Sequence, residues 1–370
     1  MSGPARTLRG AADLAAAGLV PEGQLALLEQ VAARYAVAVT PAMAELIDPA
    51  DPDDPIARQF VPSGEELAAA PHERADPIGD GAHSPVAGVV HRYPDRVLLK
   101  LVHVCPVYCR FCFRREMVGP DGHGTLTRAA IDAALAYVAG DPAIWEVILT
   151  GGDPLVLSPA RIAAVMAALS GIGHVEVVRV HSRVPAVSPE RIDAAMVEAL
   201  RASGKAAYVV LHANHPREFT PAARVALARL AEAGIALLGQ SVLLRGVNDD
   251  PATLAALMRA FVANRVKPYY LHQGDLAPGT AHLRVPIREG QRLVASLRGR
   301  VSGLCQPAYT LDIPGGHGKV PIGPAYLAED PDDPGGYRVV DPGGVTHTYP
   351  PDGVGPAARD REGTRDGGEG

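Results

Sequence analysis

The spacing of apolar positions changes character near residue 96. Before it, Leu25, Leu28, Val31 and Tyr35 recur at helical intervals, and Pro21 stands near the start of that stretch, where a missing N–H costs little, so a helix is predicted over 21–35. A second short helix is expected over 41–47, and Asp48-Pro-Ala-Asp-Pro-Asp-Asp-Pro ends it, because proline cannot continue a helix. After residue 96, short β-branched runs alternate with helical stretches. The runs cover 97–104, 146–149, 175–180, 207–211, 236–243 and 268–271, and helices are predicted over 126–139, 158–170, 189–202, 220–233, 251–264 and 286–299. Ser158, Ser188 and Thr220 each precede a proline, which puts a hydroxyl at the N-cap and proline at the first helical position.

Near-continuous apolar strands that alternate with helices predict an α/β chain with a buried parallel sheet. Six such units build either an open doubly wound sheet or a partial (β/α)6 barrel. The loops favour the barrel, where chemistry collects after the C-terminal ends of the strands. Cysteines follow the first strand, Thr150-Gly-Gly-Asp-Pro the second, His181-Ser-Arg the third and His212-Ala-Asn-His-Pro the fourth. Gln240-Ser241 sits near the end of the fifth, and Gln273-Gly-Asp follows the sixth. The expected organisation is a helical region over 1–85 that caps the main body, a partial barrel over 86–300, and a glycine- and lysine-bearing extension over 301–352. Residues 353–370, rich in Gly, Asp and Arg with almost no apolar content, are expected to be disordered.

Composition narrows the class. With 47% hydrophobic and 21% charged residues the balance is that of a globular chain with a sizeable core. A formal net charge of -6 argues against nucleic acid as a partner. No stretch approaches the ~20 apolar residues of a membrane helix, and the N-terminus lacks a basic region followed by an apolar core, so no membrane partner and a cytoplasmic location are expected. Only four lysines occur among many arginines: Lys100, Lys205, Lys267 and Lys319.

The densest chemistry is Cys105-Pro-Val-Tyr-Cys109-Arg-Phe-Cys112, a C-x3-C-x2-C run directly after the first strand. A closed zinc site is normally built from two paired half-sites well apart in sequence, and a chain of this length with three of its four cysteines within eight positions has no disulfide framework. Thiolates also hold iron-sulfur clusters, usually four at a time, so three leave one iron open to a small molecule. A second informative stretch is Asp312-Ile-Pro-Gly-Gly-His-Gly-Lys319, whose glycines permit close backbone approach to a ligand. Its lysine could condense with an aldehyde cofactor or stand exposed on a turn, and residue types alone leave both open. Arg92-Tyr93-Pro-Asp-Arg96 suits a phosphate, through guanidinium forks beside a phenol, or a salt-bridged turn.

The cysteine run resembles the signature of the radical S-adenosylmethionine enzymes. Together with HRYPDRVLLKLVHVCPVYCRFCFRRE, LTGGDPL, LHANHP, GQSVLLRGVND, KPYYLHQGDL and DIPGGHGKVPIGP, it resembles the lysine 2,3-aminomutase family over residues 91–324. The resemblance implies a [4Fe-4S] cluster on Cys105, Cys109 and Cys112, with S-adenosylmethionine on its open iron and pyridoxal 5'-phosphate as a further cofactor. Gly151, Gly152 and Asp153 match the loop at the methionine end of S-adenosylmethionine, and His212 and Gln240 match positions near its ribose. Lys319 matches the lysine that carries pyridoxal phosphate, with Arg92, Tyr93 and Arg96 around the phosphate. Arg114 matches the arginine that pairs with the substrate carboxylate, while Asp275 and Asp312 match the aspartates that hold the distal ammonium of lysine.

A buried ammonium needs carboxylate partners, so the implied reaction is amino migration from C2 to C3 of L-lysine. Arginine, or a lysine of elongation factor P, are the alternative substrates, and a non-catalytic iron-sulfur protein is the reading from another class. A flavodoxin or ferredoxin as electron donor and a homo-oligomer are the implied protein partners. Some family members carry a C-terminal cysteine cluster for zinc. Here the one later cysteine, Cys305, is expected to be a small buried side chain.

Overall fold

Nine strands form one sheet in unbroken sequential order: β1 (Val89–Tyr93), β2 (Arg96–Val102), β3 (Glu146–Gly151), β4 (Val177–Ser182), β5 (Ala206–His212), β6 (Ala236–Val242), β7 (Lys267–His272), β8 (Ala308–Asp312) and β9 (Lys319–Pro321). They come from a computed structural model that describes residues 6–119 and 124–350, so the tail expected to be disordered, 353–370, lies outside the described residues. β2 to β8 run parallel, and β1 and β9 pair antiparallel at the two edges. An order that never reverses has no switch point, which is the topology of a barrel wall and not of a doubly wound sheet. Laid flat, nine strands about 4.8 Å apart would separate the edges by roughly 38 Å. Instead the Tyr93 hydroxyl on β1 accepts a hydrogen bond from the Lys319 backbone N–H on β9 at 2.8 Å. The sheet therefore curls until its edges meet through a side chain, without pairing as strands.

The six expected strand–helix units are β2 to β7 with their following helices: Arg128–Gly140, Pro159–Ser170, Ala194–Arg201, Pro221–Glu232, Pro251–Ala263 and Ile287–Ala295. The hydroxyls of Ser158 and Thr220 cap their helices as expected, accepting from Arg161 and Ala223 N–H. Ser188 does not. Its hydroxyl bonds the Glu190 carboxylate at 2.6 Å, because Ile192 turns inward to full burial at ψ 63° and splits the expected helix; Asp193 caps the remainder through Met196 N–H. The expected first helix is a short 3-10 turn, Glu22–Gln24, continued by Leu25–Arg34, and the second is Pro41–Ala44. Beyond the barrel, β10 (Leu327–Glu329), β11 (Tyr337–Val340) and β12 (Thr346–Tyr349) form a small, largely exposed antiparallel sheet that the spacing of apolar residues does not announce.

Register divides the faces of the barrel. Leu149, Val180, Val209 and Leu237 stand opposite one another along β3–β6 and join the outer core beneath the helices. Alternate positions face the lumen, where His212 lies opposite Gln240 and His272 opposite Thr310. Leu8, Leu14, Leu28, Met43, Ile56 and Phe60 are buried in the same core as the barrel strands, so the N-terminal segment packs onto the barrel directly.

Candidate active site

The lumen opens into a cavity of about 680 Å³. Its wall contains all the residues singled out from the sequence: Arg92, Tyr93 and Arg96; the three cysteines and Arg114; Gly151, Gly152 and Asp153; His212 and Gln240; Asp275, Asp312 and Lys319. The strands account for much of this, because a lumen-facing position on one strand is in register with the next. His181 and Ser182, expected in a loop, are the last residues of β4.

The cysteine loop leaves the C-terminal end of β2 and is tied down on its far side. Arg110 donates Nε to both Glu66 oxygens at 3.0 and 3.1 Å and Nη1 to the Ala36 carbonyl at 2.8 Å, while Arg115 pairs with the same Glu66 and lies 3.6 Å over the Tyr35 ring. Burial pushes the Glu66 carboxyl up, but Arg110 and Arg115 more than offset it and hold it below the usual range. The thiols of Cys105, Cys109 and Cys112 face the cavity, free of disulfides. Burial pushes all three up, Cys112 to about 11; neighbouring thiolates add to this at Cys105 and Cys112, while the charge of Arg183 opposes it at Cys109.

Buried thiols that resist ionisation are relieved when a metal accepts their charge. Among the described residues no three His, Cys, Asp or Glu side chains converge on a single ion. That spread suits a cluster, in which each thiolate takes a different iron.

Gly151 and Gly152 bring β3 against this loop. A Cβ on Gly151 would lie 2.2 Å from the Val102 carbonyl oxygen, and one on Gly152 would lie 2.3 Å from that of Val104. Gly151 also sits at φ 125°, which favours glycine. The Asp153 side chain is fully engaged: Oδ1 accepts from Leu155 N–H and Ser182 Oγ–H, and Oδ2 from the N–H groups of Arg183 and Val184. What this segment can offer a ligand is therefore its backbone. Nearby, the Nε2 atoms of His212 and His181 are buried without a partner among the described residues. Burial, followed by the charge of Arg183, brings His212 down to about 3, so it is a neutral imidazole with polar capacity unspent toward the cavity.

Across the lumen, Lys319 Nζ pairs with Asp312 and lies 3.1 Å from His272 Nδ1 and 5.4 Å from the Tyr270 ring centre. Burial holds His272 well below its ordinary value, with the Lys319 charge next in effect, so His272 is neutral. Arg92 gives Nη2 to the Ile78 carbonyl at 2.7 Å and to Asp80 at 3.2 Å, and its buried Nε has no partner among the described residues. Arg96 lies 3.9 Å over the Tyr93 ring. Arg96 also pairs with Asp95 at 2.6 Å, the salt-bridged turn that the sequence allowed, so the unspent donor here is Arg92 Nε, which beside a lysine fits a phosphate-bearing aldehyde cofactor. Arg114 directs Nε and Nη2 at one oxygen of Asp80, at 3.0 and 2.8 Å. The Asp275 carboxylate accepts no hydrogen bond among the described residues, although its backbone carbonyl accepts one from Thr280 Oγ, and burial followed by the charge of Asp312 raises the carboxyl to about 7.

Sequence reading missed the partners. Gln59, Glu66 and Asp80 come from the region expected to be a cap without chemistry, yet they hold Arg183, Arg110 with Arg115, and Arg114 with Arg92. Arg179, Tyr270 and His272, none of which was singled out, also line the cavity, beside His181, which was. Their signal was present as alternation: Arg179 and His181, like Tyr270 and His272, stand two apart, the period of one face of a strand.

Residues 99–258 match the model of the Radical SAM superfamily. An L-lysine 2,3-aminomutase of Clostridium subterminale is 41% identical over 297 residues, covering 80% of this chain and 71% of the relative. Another from Acetoanaerobium sticklandii is 42% identical over 291 residues, covering 79% and 70%. A more remote relative, a glutamate 2,3-aminomutase of Clostridioides difficile, is 34% identical over 301 residues, covering 81% and 70%.

Proposed function

The chain belongs to the lysine 2,3-aminomutase family of radical S-adenosylmethionine enzymes, and from that membership we propose that it is an isomerase that moves the amino group of free L-lysine from C2 to C3. When bound, the cluster with S-adenosylmethionine supplies the one-electron chemistry that removes a hydrogen atom, and pyridoxal phosphate supplies the conjugated carbonyl that supports the migrating nitrogen.

The protein's own groups bind, orient and neutralise. Cys105, Cys109 and Cys112 hold the cluster, and the backbone of Gly151 and Gly152, with His212 and Gln240, receives S-adenosylmethionine. Arg92, Tyr93 and Arg96 take the phosphate, and Lys319 Nζ is the attachment point. Before it can react, Lys319 Nζ must shed a proton, and Asp312 and His272 Nδ1 are both in contact with it. Arg114 orients the substrate carboxylate. Asp312, which pairs with Lys319 in the free protein, would join Asp275 at the distal ammonium.

The observation that carries the substrate is Asp275: a buried carboxylate beside a second one, raised to about 7 and without a donor. A distal cation relieves both groups, whereas the second carboxylate of glutamate would meet two like charges. A cytoplasmic setting, a low-potential donor such as flavodoxin or ferredoxin, and a homo-oligomer complete the reading. The test is anaerobic incubation of the reconstituted protein with S-adenosylmethionine, reductant and lysine, arginine, glutamate or unmodified elongation factor P. β-Lysine detected by mass spectrometry is the expected product. Turnover of arginine or of the protein lysine, with free lysine inert, would overturn the assignment.

A further inference from the structure

Arg183 follows β4 and is not among the residues given a role above. Its backbone N–H donates to Asp153 Oδ2 at 2.7 Å, and its Nη1 donates to Cys109 Sγ at 3.0 Å. Nη2 donates to Gln59 Oε1 at 2.6 Å and to Glu218 Oε2 at 2.7 Å, and the guanidinium carbon lies 4.7 Å over Phe60 and 5.5 Å over Phe111. The side chain is only 5% exposed and Glu218 is fully buried. A formal positive charge thus sits in a dry site, with one terminal nitrogen in hydrogen-bond contact with the sulfur of a cysteine proposed to hold iron and the other on its counter-charge, Glu218.

From this geometry we infer that Arg183, balanced by Glu218, sets the reduction potential of the cluster; the inference rests on the functional reading above. Reduction adds one electron from an external donor and makes or breaks no bond, so the cluster becomes more negative by one charge. A fixed cation and an N–H donor at a ligating sulfur stabilise that more negative state over the oxidised one, and low dielectric magnifies the effect. Arg183 therefore raises the potential toward the range of its donor, and Glu218 moderates it. The same residue joins the cluster loop to the Gly-Gly-Asp segment, so it is a positioning residue as well. Packing alone, however, predicts no directed change in potential.

The experiment is a dithionite titration of the anaerobically reconstituted full chain, followed by electron paramagnetic resonance, with iron and sulfide assayed in parallel. Arg183→Gln is expected to keep its iron and sulfide and to shift the midpoint to more negative potential, with Arg183→Lys in between. Glu218→Gln is expected to shift it the opposite way. Wild-type midpoints in loaded Arg183→Gln and Glu218→Gln would overturn the inference. Where Arg183→Gln takes up no iron, Glu218→Gln decides: an upward shift supports the assignment and an unchanged midpoint ends it. A wild-type chain that never carries iron and sulfide overturns the functional reading, and this inference with it.

Discussion

Asp275 shows how one residue links burial to substrate choice. Its carboxyl sits near 7 instead of the ordinary 3.8, so in the free protein about half of it is protonated at neutral pH, while a cationic substrate selects the ionised form. Lysine binding should therefore tighten as pH rises through about 7, read as a falling KM. Asp275→Asn should abolish that dependence and raise KM on the order of 100-fold, from loss of one buried charge partner at roughly 3 kcal/mol. For folding the sign is reversed. Between 3.8 and about 7 the folded chain keeps a proton that the unfolded chain releases, so this group lowers stability as pH rises across that window.

Lys319→Ala should lose the visible absorbance that develops when pyridoxal phosphate is added, and an unchanged spectrum would remove Lys319 from its proposed role. Asp80→Asn should weaken both pyridoxal phosphate and lysine, because one carboxylate orients Arg92 and Arg114. Titration of cofactor absorbance and the KM for lysine check it, each expected to change by about 10-fold for a charge-assisted bond reduced to a neutral one.

At the scale of elements, the join between β2 and β3 depends on atoms that are absent. A methyl group on Gly152 would drive into the Val104 carbonyl, which is backbone and cannot swing away. Gly152→Ala should lower stability by about 3 kcal/mol and deplete the protein of iron, because the same segment braces the chain leading into Cys105. Thermal melting and an iron assay read the two effects. The β/α rhythm was legible because each unit carries its own signal, an apolar run and then a capped helix. Ser158 and Thr220 met that expectation, while at Ser188 the burial of Ile192 outweighed a good local cap. β1, β8 and β9 were not legible. They are three to five residues long, and His91-Arg-Tyr and Lys319 read as ligands before they read as strands.

Over the whole molecule, the N-terminal segment completes the site. Glu66 is fully buried between two arginines of the cysteine loop, and removing its charge leaves both cations uncompensated. Glu66→Gln should destabilise the fold by about 3–5 kcal/mol in urea melts, and wild-type stability in that variant would show that the cluster loop stands without the segment. Because Arg110 and Arg115 hold Glu66 below its ordinary 4.5, its contribution is present above that pH and is lost as acid protonates it.

Residue type and short-range spacing were enough for much of the inventory: three thiols in one loop, one lysine among glycines, and six strand–helix units, while the two aspartates came from the family resemblance. Each of these is written within a few tens of residues, where local propensity and side-chain chemistry operate. Partnership needed the folded chain. Arg114 takes Asp80 from 34 residues away, Cys109 takes Arg183 from 74, and Arg183 takes Gln59 from 124. Which buried charge meets which is settled only when packing excludes water and leaves each group no other partner.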